Sequence, residues 1–217
     1  MTNDPTLLIV VGMRREARMA GGAGRVMIAG RGLAEALAER PAAVISFGLC
    51  GALEPSLQAG DLVVGSGVNG APADAAWADR LMAALPDARR GGIASSGAMA
   101  TSAAAKAALH ARTGAIAVDM ESHLVADAGV PFAILRAVSD PAHRPLPRAA
   151  QAGFKADGDA DIAAVLRALI ARPWELPALL RTAREAGAAF RALRDALDLL
   201  GPGVGCPYLG EHRIHMA

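Results

Sequence analysis

Apolar residues in this chain fall in short runs, each stopped by glycine or a polar cluster. The runs are 7–11, 26–29, 44–47, 62–64, 115–118 and 132–138. Their shortness, β-branched content and flanking glycines predict strands. Most show no polar alternation, as expected of strands buried on both faces of a mostly parallel or mixed sheet. Alanine-rich stretches at 32–40, 73–85 and 102–112 predict helices between them. This alternation predicts a single α/β domain over 1–203, a twisted mixed central sheet flanked by helices. In such sheets ligands gather at the carboxyl ends of the strands, so residues just after each run carry the candidate chemistry.

The last third has a different pattern. "DPAHRPLPRAAQAG" (140–153) holds three prolines and predicts an irregular loop or lid. Residues 161–170 predict a helix. From Pro173 a stripe of Leu176, Leu180, Ala183, Phe190, Leu193, Leu197 and Leu200 predicts another. Gly201-Pro202-Gly203 stops it, and residues 204–217 are expected to form a loose tail.

Composition narrows the function classes. The chain has 217 residues, 53% hydrophobic but only 3% aromatic, so its core should be packed from small and aliphatic side chains. A net charge of +1, with Lys and Arg scattered, gives no case for nucleic acid or another polyanion. Cys50 and Cys206 do not suggest a disulfide scaffold and fit a reducing cytoplasm. The N-terminus "MTNDPTLLIVVGM" lacks the basic start of a signal peptide. No stretch approaches the roughly 18 apolar residues of a membrane span. A cytoplasmic protein without an integral membrane segment is expected.

The strand ends supply the candidates. The first run leads into "VGMRREAR", where Gly12 permits a turn before Arg14, Arg15 and Glu16. This reads either as the charged first turn of a surface helix or as a carboxylate and guanidinium groups facing a polar ligand. "ISFGLCGAL" brackets Cys50 with Gly48 and Gly51. It predicts a Gly-rich turn whose backbone could approach a ligand, although neither the Walker nor the dinucleotide pattern is present. "PFAILRAVSDPAH" sets Arg136 inside an apolar strand, which demands a carboxylate partner. Glu16, Glu121 and Asp140 are the candidates. Ser139-Asp140 follows, as a helix cap or as site residues. "AIAVDMESH" offers Asp119, Met120 and Glu121, acidic residues that also suit a helix start. His123 reads as structural. His110, His143, His212 and His215 show no metal-like spacing, so no metal is expected. "ASSG" (94–97) reads as a polar turn able to line a pocket.

Taken in order, "VVGMRREA", "SFGLCGAL" with "AGDLVV", "AIAVDMES" and "PFAILRAVSD" resemble the nucleoside phosphorylase and nucleosidase superfamily, close to methylthioadenosine/adenosylhomocysteine nucleosidases. "SDPAHRPLP" and the long segment "RPWELPALLRTAREAGAAFRALRDAL" look more like its hopanoid-associated phosphorylase branch. The resemblance implies cleavage of an N-glycosidic bond in an adenosine derivative, with adenosylhopane the favoured substrate and an ordinary nucleosidase, or a non-catalytic nucleoside-binding protein, as alternatives. It implies Asp140 as the acid that protonates the purine N7, Ser139 as its support, Glu121 as the ribose anchor with Met120 beside the sugar, and Glu16 as the carboxylate positioning water. Arg136 would support the acidic cluster, and Met99 would lie against the base. Gly12, Arg14 and Arg15 are weaker candidates for holding phosphate. Leu49 stands where related phosphorylases place a phosphate-binding serine, which leaves phosphate or water open as the attacking group. No cofactor is implied beyond inorganic phosphate as a co-substrate. The resemblance further implies a homodimer and, for a lipid substrate, transient contact with a membrane.

Overall fold

The computed structural model describes residues 6–30, 32–152 and 161–209. In chain order its elements are β1 (Leu7–Val11), α1 (Arg14–Ala20), β2 (Arg25–Ile28), α2 (Leu33–Ala38), β3 (Ala43–Ala52), β4 (Leu62–Val68), β5 (Ala71–Pro72) and α3 (Ala75–Ala84). There follow β6 (Arg89–Ser95), α4 (Ala103–Thr113), β7 (Ala117–Asp119), α5 (His123–Ala126), β8 (Phe132–Asp140), α6 (Arg148–Ala152) and α7 (Ile162–Ala171). A 3-10 turn, Pro173–Glu175, then leads into α8 (Leu176–Leu200).

All eight strands join one mixed sheet, as the apolar runs predict, but the sheet also closes on itself. β3 pairs with β1 and β7 along one edge and with β8 along the other. β8 pairs with β4, β4 with β6, and β6 with β7, which returns to β3. Five strands therefore form a closed, barrel-like ring, with β1 and β2 as an extension. The backbone polar groups of those strands are paired around the ring, so fully apolar strands can be buried there.

β3 and β8 carry most of the site. Val44–Phe47 and Phe132–Leu135 are buried on both faces, and parallel pairing aligns Gly48 with Arg136 and Gly51 with Asp140. A register shift between Cys50 and Gly51 bends the end of β3. The expected Gly-rich turn at 48–51 is thus a correction: Gly48 and Gly51 lie inside the ten-residue strand β3, not in a turn. Ladder pairing with β8 extends the strand past the point where glycine alone suggests a stop.

The pattern misses two strands, the two-residue β5 and β6, the latter because "RRGGIAS" reads as polar and flexible. Its glycines serve packing: a Cβ on Gly91 would lie 2.5 Å from Ile116 Cδ1. The expected loop after Asp140 contains the short helix α6. The tail is not loose where it is described. Val204 and Cys206 are buried, and Val204 O accepts a 2.9 Å bond from Trp77 Nε1. Residues 210–217, with His212 and His215, lie outside the described residues.

Candidate functional site

Glu16 occupies the third position of α1 and is buried. Its Oε2 accepts the backbone N–H groups of Gly12 and Met13, both at 2.9 Å, closing the first turn of α1 from inside. Its Oε1 accepts the Leu49 N–H at 2.8 Å, so the same carboxylate ties α1 to β3. Gly48 makes this approach feasible: a Cβ there would sit 2.6 Å from Glu16 Cδ and 2.9 Å from Arg136 Nη1. Burial pushes the Glu16 carboxyl up to about 7, against the opposing pull of Arg136 and of the Leu49 N–H, with nearby Glu121 adding to the rise.

Arg136 is fully buried in β8, and its principal partner corrects the expectation. Asp119, read from sequence as a helix-start residue, lies at 2.8 Å from Arg136 Nε as a buried ion pair. That nitrogen makes no hydrogen bond, so the contact is charge pairing rather than an aligned N–H···O bond. Glu121 Oε2 is 3.4 Å from Nη2. Nη2 also donates to Ser46 Oγ at 2.6 Å and to Ser122 Oγ at 3.2 Å, and Nη1 donates to Leu49 O at 3.3 Å. Asp119 in turn accepts from the Ser122 hydroxyl and backbone N–H. Being wholly enclosed, Arg136 touches no open space. It positions the carboxylates around it.

Glu121 is partly exposed at the end of β7 and leans against β1. A Cβ on Gly12 would stand 2.5 Å from Glu121 Oε1. Burial raises its carboxyl above the usual range, Arg136 opposes the rise and Asp119 reinforces it. Met120 and Met99 are half-buried.

Asp140, at the carboxyl end of β8, pairs with neither Arg136 nor a second carboxylate. Its Oδ2 is ion-paired with Lys106 Nζ of α4, whose side chain is 0% exposed while that of Asp140 is 19% exposed. Lys106 Nζ also donates to Pro141 O at 3.0 Å and Arg144 O at 3.4 Å. The Ser139 hydroxyl lies 2.9 Å from Asp140 Oδ1 and 3.1 Å from Cys50 O, with one proton to share between them. Sequence reasoning passed over Lys106. A lone lysine in "AAAKAALHART" looks like a solvated helix residue, and only the fold shows it to be the buried residue of α4.

Of the weaker phosphate candidates, Gly12 lies in the cluster against Glu16 and Glu121, whereas Arg15 points away from it. Arg15 lies 3.9 Å over the Phe190 ring and, with Arg18, Arg191 and Arg194, lines a separate groove of about 590 Å³ between α1 and α8. Arg14 is exposed. The "ASSG" turn contributes Ser95, whose Oγ is 3.0 Å from both the Nδ1 and the backbone N of His123. That contact gives His123 a local partner. Among the described residues no group of three His, Cys, Asp or Glu side chains is placed to hold a metal ion.

The strand spacing gives the cluster its dimensions. Glu16 meets β3 at Gly48 and Leu49, and Asp140 meets it at Gly51. At roughly 3.3 Å per strand residue these attachment points on β3 are about 7–10 Å apart. Glu121 and Asp140 reach the surface and Glu16 stays inside. Carboxylates with different surroundings are thus gathered along the carboxyl-terminal part of β3.

Residues 66–171 match the phosphorylase superfamily. No curated protein matches the chain. Among solved structures, the S-adenosylhomocysteine nucleosidase of Streptococcus pyogenes, in complex with 5-methylthiotubericidin, superposes with a TM-score of 0.60 at 18% identity, covering 92% of this chain and 99% of that one. The Campylobacter jejuni 5'-methylthioadenosine/S-adenosylhomocysteine nucleosidase gives 0.56 at 16%, covering 88% and 99%. The futalosine hydrolase of Helicobacter pylori gives 0.56 at 19%, covering 77% and 97%. At these identities the likeness is one of fold.

Proposed function

From its phosphorylase-superfamily segment and the carboxylates gathered on its fold, we propose that this chain cleaves the N-glycosidic bond of an adenosine derivative and releases adenine. The observation that carries the reading is that Glu16 and Asp140 meet β3 two to three residues apart, at Gly48–Leu49 and at Gly51, with Glu121 near the Glu16 end. Breaking the bond places positive charge on the ribose and negative charge on the base. Glu121 offers a carboxylate to the ribose hydroxyls and to the developing charge. Glu16, whose carboxyl is pushed to about 7, is poised between protonation states at neutral pH, as a base that takes a proton from water should be. Asp140 faces the base. Its pairing with the Lys106 ammonium supplies one proton, which passes from Nζ to the carboxylate and on to purine N7 as the bond between N9 and the ribose breaks, so that Asp140 ends ionised as it began. Lys106 is left neutral, and adenine departs with its N7 proton.

Water is the attacking group we favour. Backbone N–H groups of Gly12, Met13 and Leu49, which could have cradled a phosphate, all donate to Glu16. Arg15 is turned to Phe190, and Leu49 brings no hydroxyl.

For the substrate we propose adenosylhopane, on the resemblance of the segments from Ser139 onward to the hopanoid-associated branch. The nucleosidase and futalosine hydrolase folds make methylthioadenosine, S-adenosylhomocysteine or futalosine the second reading. Base release from adenosylhopane, methylthioadenosine, S-adenosylhomocysteine, futalosine and inosine (adenine from the first three, hypoxanthine from the last two), with and without phosphate, tests all of these. Cleavage of adenosylhopane without phosphate is the expected result. Cleavage restricted to methylthioadenosine would overturn the hopanoid reading, and a strict need for phosphate would overturn water. Binding without any cleavage would make this a nucleoside-binding protein.

A further inference from the structure

The apolar surface of this protein is concentrated in one place. Of the eight large hydrophobic side chains exposed among the described residues, six, Ile162, Leu166, Ile170, Trp174, Leu176 and Leu180, belong to α7, the 3-10 turn and the start of α8, the others being Leu199 and Tyr208. Ile162, Leu166 and Ile170 recur every four residues, so they form one stripe on α7, and Leu176 and Leu180 do the same on α8. Ile170, Trp174 and Ile162 are about three-quarters exposed (81%, 71% and 70%), which is costly in water and common where a surface meets an apolar partner.

The charge around this stripe is one-sided. Residues 161–184 carry four arginines against two carboxylates. Both carboxylates are half-buried: Asp161 caps α7 through the Ala164 N–H, and Glu175 accepts from the Ala149 N–H beside Arg172. Arg167, Arg181 and Arg184 are exposed. On α8 the helical repeat carries the Leu176–Leu180 stripe into Arg184, Arg191 and Arg194, with Asp198 the one carboxylate in the same arc of roughly 80°. Arg191 and Arg194 meet Arg15 and Arg18 across the groove of about 590 Å³, and none of these four is in an ion pair shown among the described residues. These surfaces together offer exposed aliphatic side chains and a tryptophan on α7, the 3-10 turn and the start of α8, and a surplus of guanidinium groups further along α8 and on α1, with Asp195 and Asp198 as the exposed carboxylates beside them.

We propose that this face docks the protein on an anionic lipid bilayer, with Ile162, Leu166, Ile170 and Trp174 entering the headgroup–acyl boundary and the arginines of α8 and α1 meeting lipid phosphates. Surface docking, rather than insertion across the bilayer, fits amphipathic helices of this kind. No helix among the described residues is long and apolar enough to cross a membrane. Tryptophan prefers the interface because its ring is apolar and its N–H polar, and arginine reaches outward along its aliphatic stem. A protein partner of matching shape would also cover the apolar stripe, but the surplus of arginine along the same face selects an anionic surface. The proposal stands on this face alone, independent of which nucleoside is cleaved.

The test is binding of the full chain to phosphatidylcholine vesicles with and without added phosphatidylglycerol, read by co-sedimentation and tryptophan emission. The protein has two tryptophans, and Trp77 is buried, so a blue shift on vesicle addition reports Trp174. The expected result is binding at least about tenfold tighter to phosphatidylglycerol vesicles, weakened by salt. Ile170→Ser/Trp174→Ser should lose vesicle binding while keeping its cleavage of a water-soluble nucleoside. Arg191→Gln/Arg194→Gln should lose the preference for the anionic lipid. Failure of the unaltered protein to bind either vesicle would overturn the proposal. So would a dimer, measured by light scattering, that becomes a monomer in the serine variant with no vesicle binding in either form, because the face would then be a contact between two copies.

Discussion

The Lys106 ammonium is buried beneath Asp140, ion-paired with its Oδ2 and anchored to the carbonyls on either side of the following turn, Pro141 and Arg144. An aspartate at the mouth of a site is thereby coupled to a helix on the other side of the barrel. The arrangement makes Asp140→Asn a compound change. It removes the acid and leaves a buried ammonium without its anion, a defect of about 3–5 kcal/mol. Lys106→Met/Asp140→Asn should recover most of that stability, measured by urea denaturation, but not activity. A double variant no more stable than Asp140→Asn would show the pair to be energetically uncoupled.

The same pair predicts a difference between substrates. Asp140→Asn and Lys106→Met should each slow release of adenine by about two to four orders of magnitude, the usual size of a general-acid contribution. A nitrophenyl riboside, whose leaving group departs without a proton, should be cleaved by both variants at close to the unaltered rate. Equal loss on both substrates would reduce Lys106 to a support of the fold.

Glu16 links activity and stability to pH in opposite directions. As the proposed base it must lose its proton, so kcat/KM should rise with pH through a midpoint of about 7. Folding behaves inversely. The native carboxyl holds its proton where the unfolded chain, with an ordinary value of 4.5, has released it. This contribution to stability is complete below 4.5 and falls away by about 3 kcal/mol as pH rises to about 7. Glu16→Gln should flatten both profiles, checked by denaturation midpoints and by rates between pH 5 and 8. A kcat/KM limb that persisted in Glu16→Gln would assign it to another group.

Gly12→Ala tests the ribose anchor without changing any charged group. Its Cβ would stand 2.8 Å from Glu121 Cδ, so the carboxylate must move. KM should rise roughly tenfold, the effect of about 1.4 kcal/mol of lost binding, in a protein that still folds. An unchanged KM would separate Glu121 from ribose binding.

Arg136 and Asp119 predict a stability defect. Asp119→Asn leaves the fully buried guanidinium with only the more distant Glu121 carboxylate in contact, at 3.4 Å. A loss of about 3 kcal/mol or more is expected from breaking such a pair, read as a lower denaturant midpoint with unchanged slope. A shift below about 0.5 kcal/mol would place this site among ordinary surface substitutions.

The sequence by itself determined six of the eight strands, because short runs such as 7–11 and 132–138 are apolar throughout, β-branched and flanked by glycine or polar residues, as strands buried on both faces are. It also identified the carboxylates at strand ends, Glu16, Glu121 and Asp140, and the need of Arg136 for a partner, since an arginine in an apolar strand is intolerable alone. The tertiary structure decided which charges meet. Asp119 rather than Glu16 or Asp140 is the chief partner of Arg136, Lys106 rather than an arginine holds Asp140, and Gly48 and Gly51 are gaps in a strand rather than turn residues. These outcomes depend on ring closure and on the pairing of β3 with β8, contacts between residues some 90 positions apart. Local pattern records which face a residue prefers. It holds no record of which distant side chain will arrive at that face, and at this site the pairing of charges depends on that arrival.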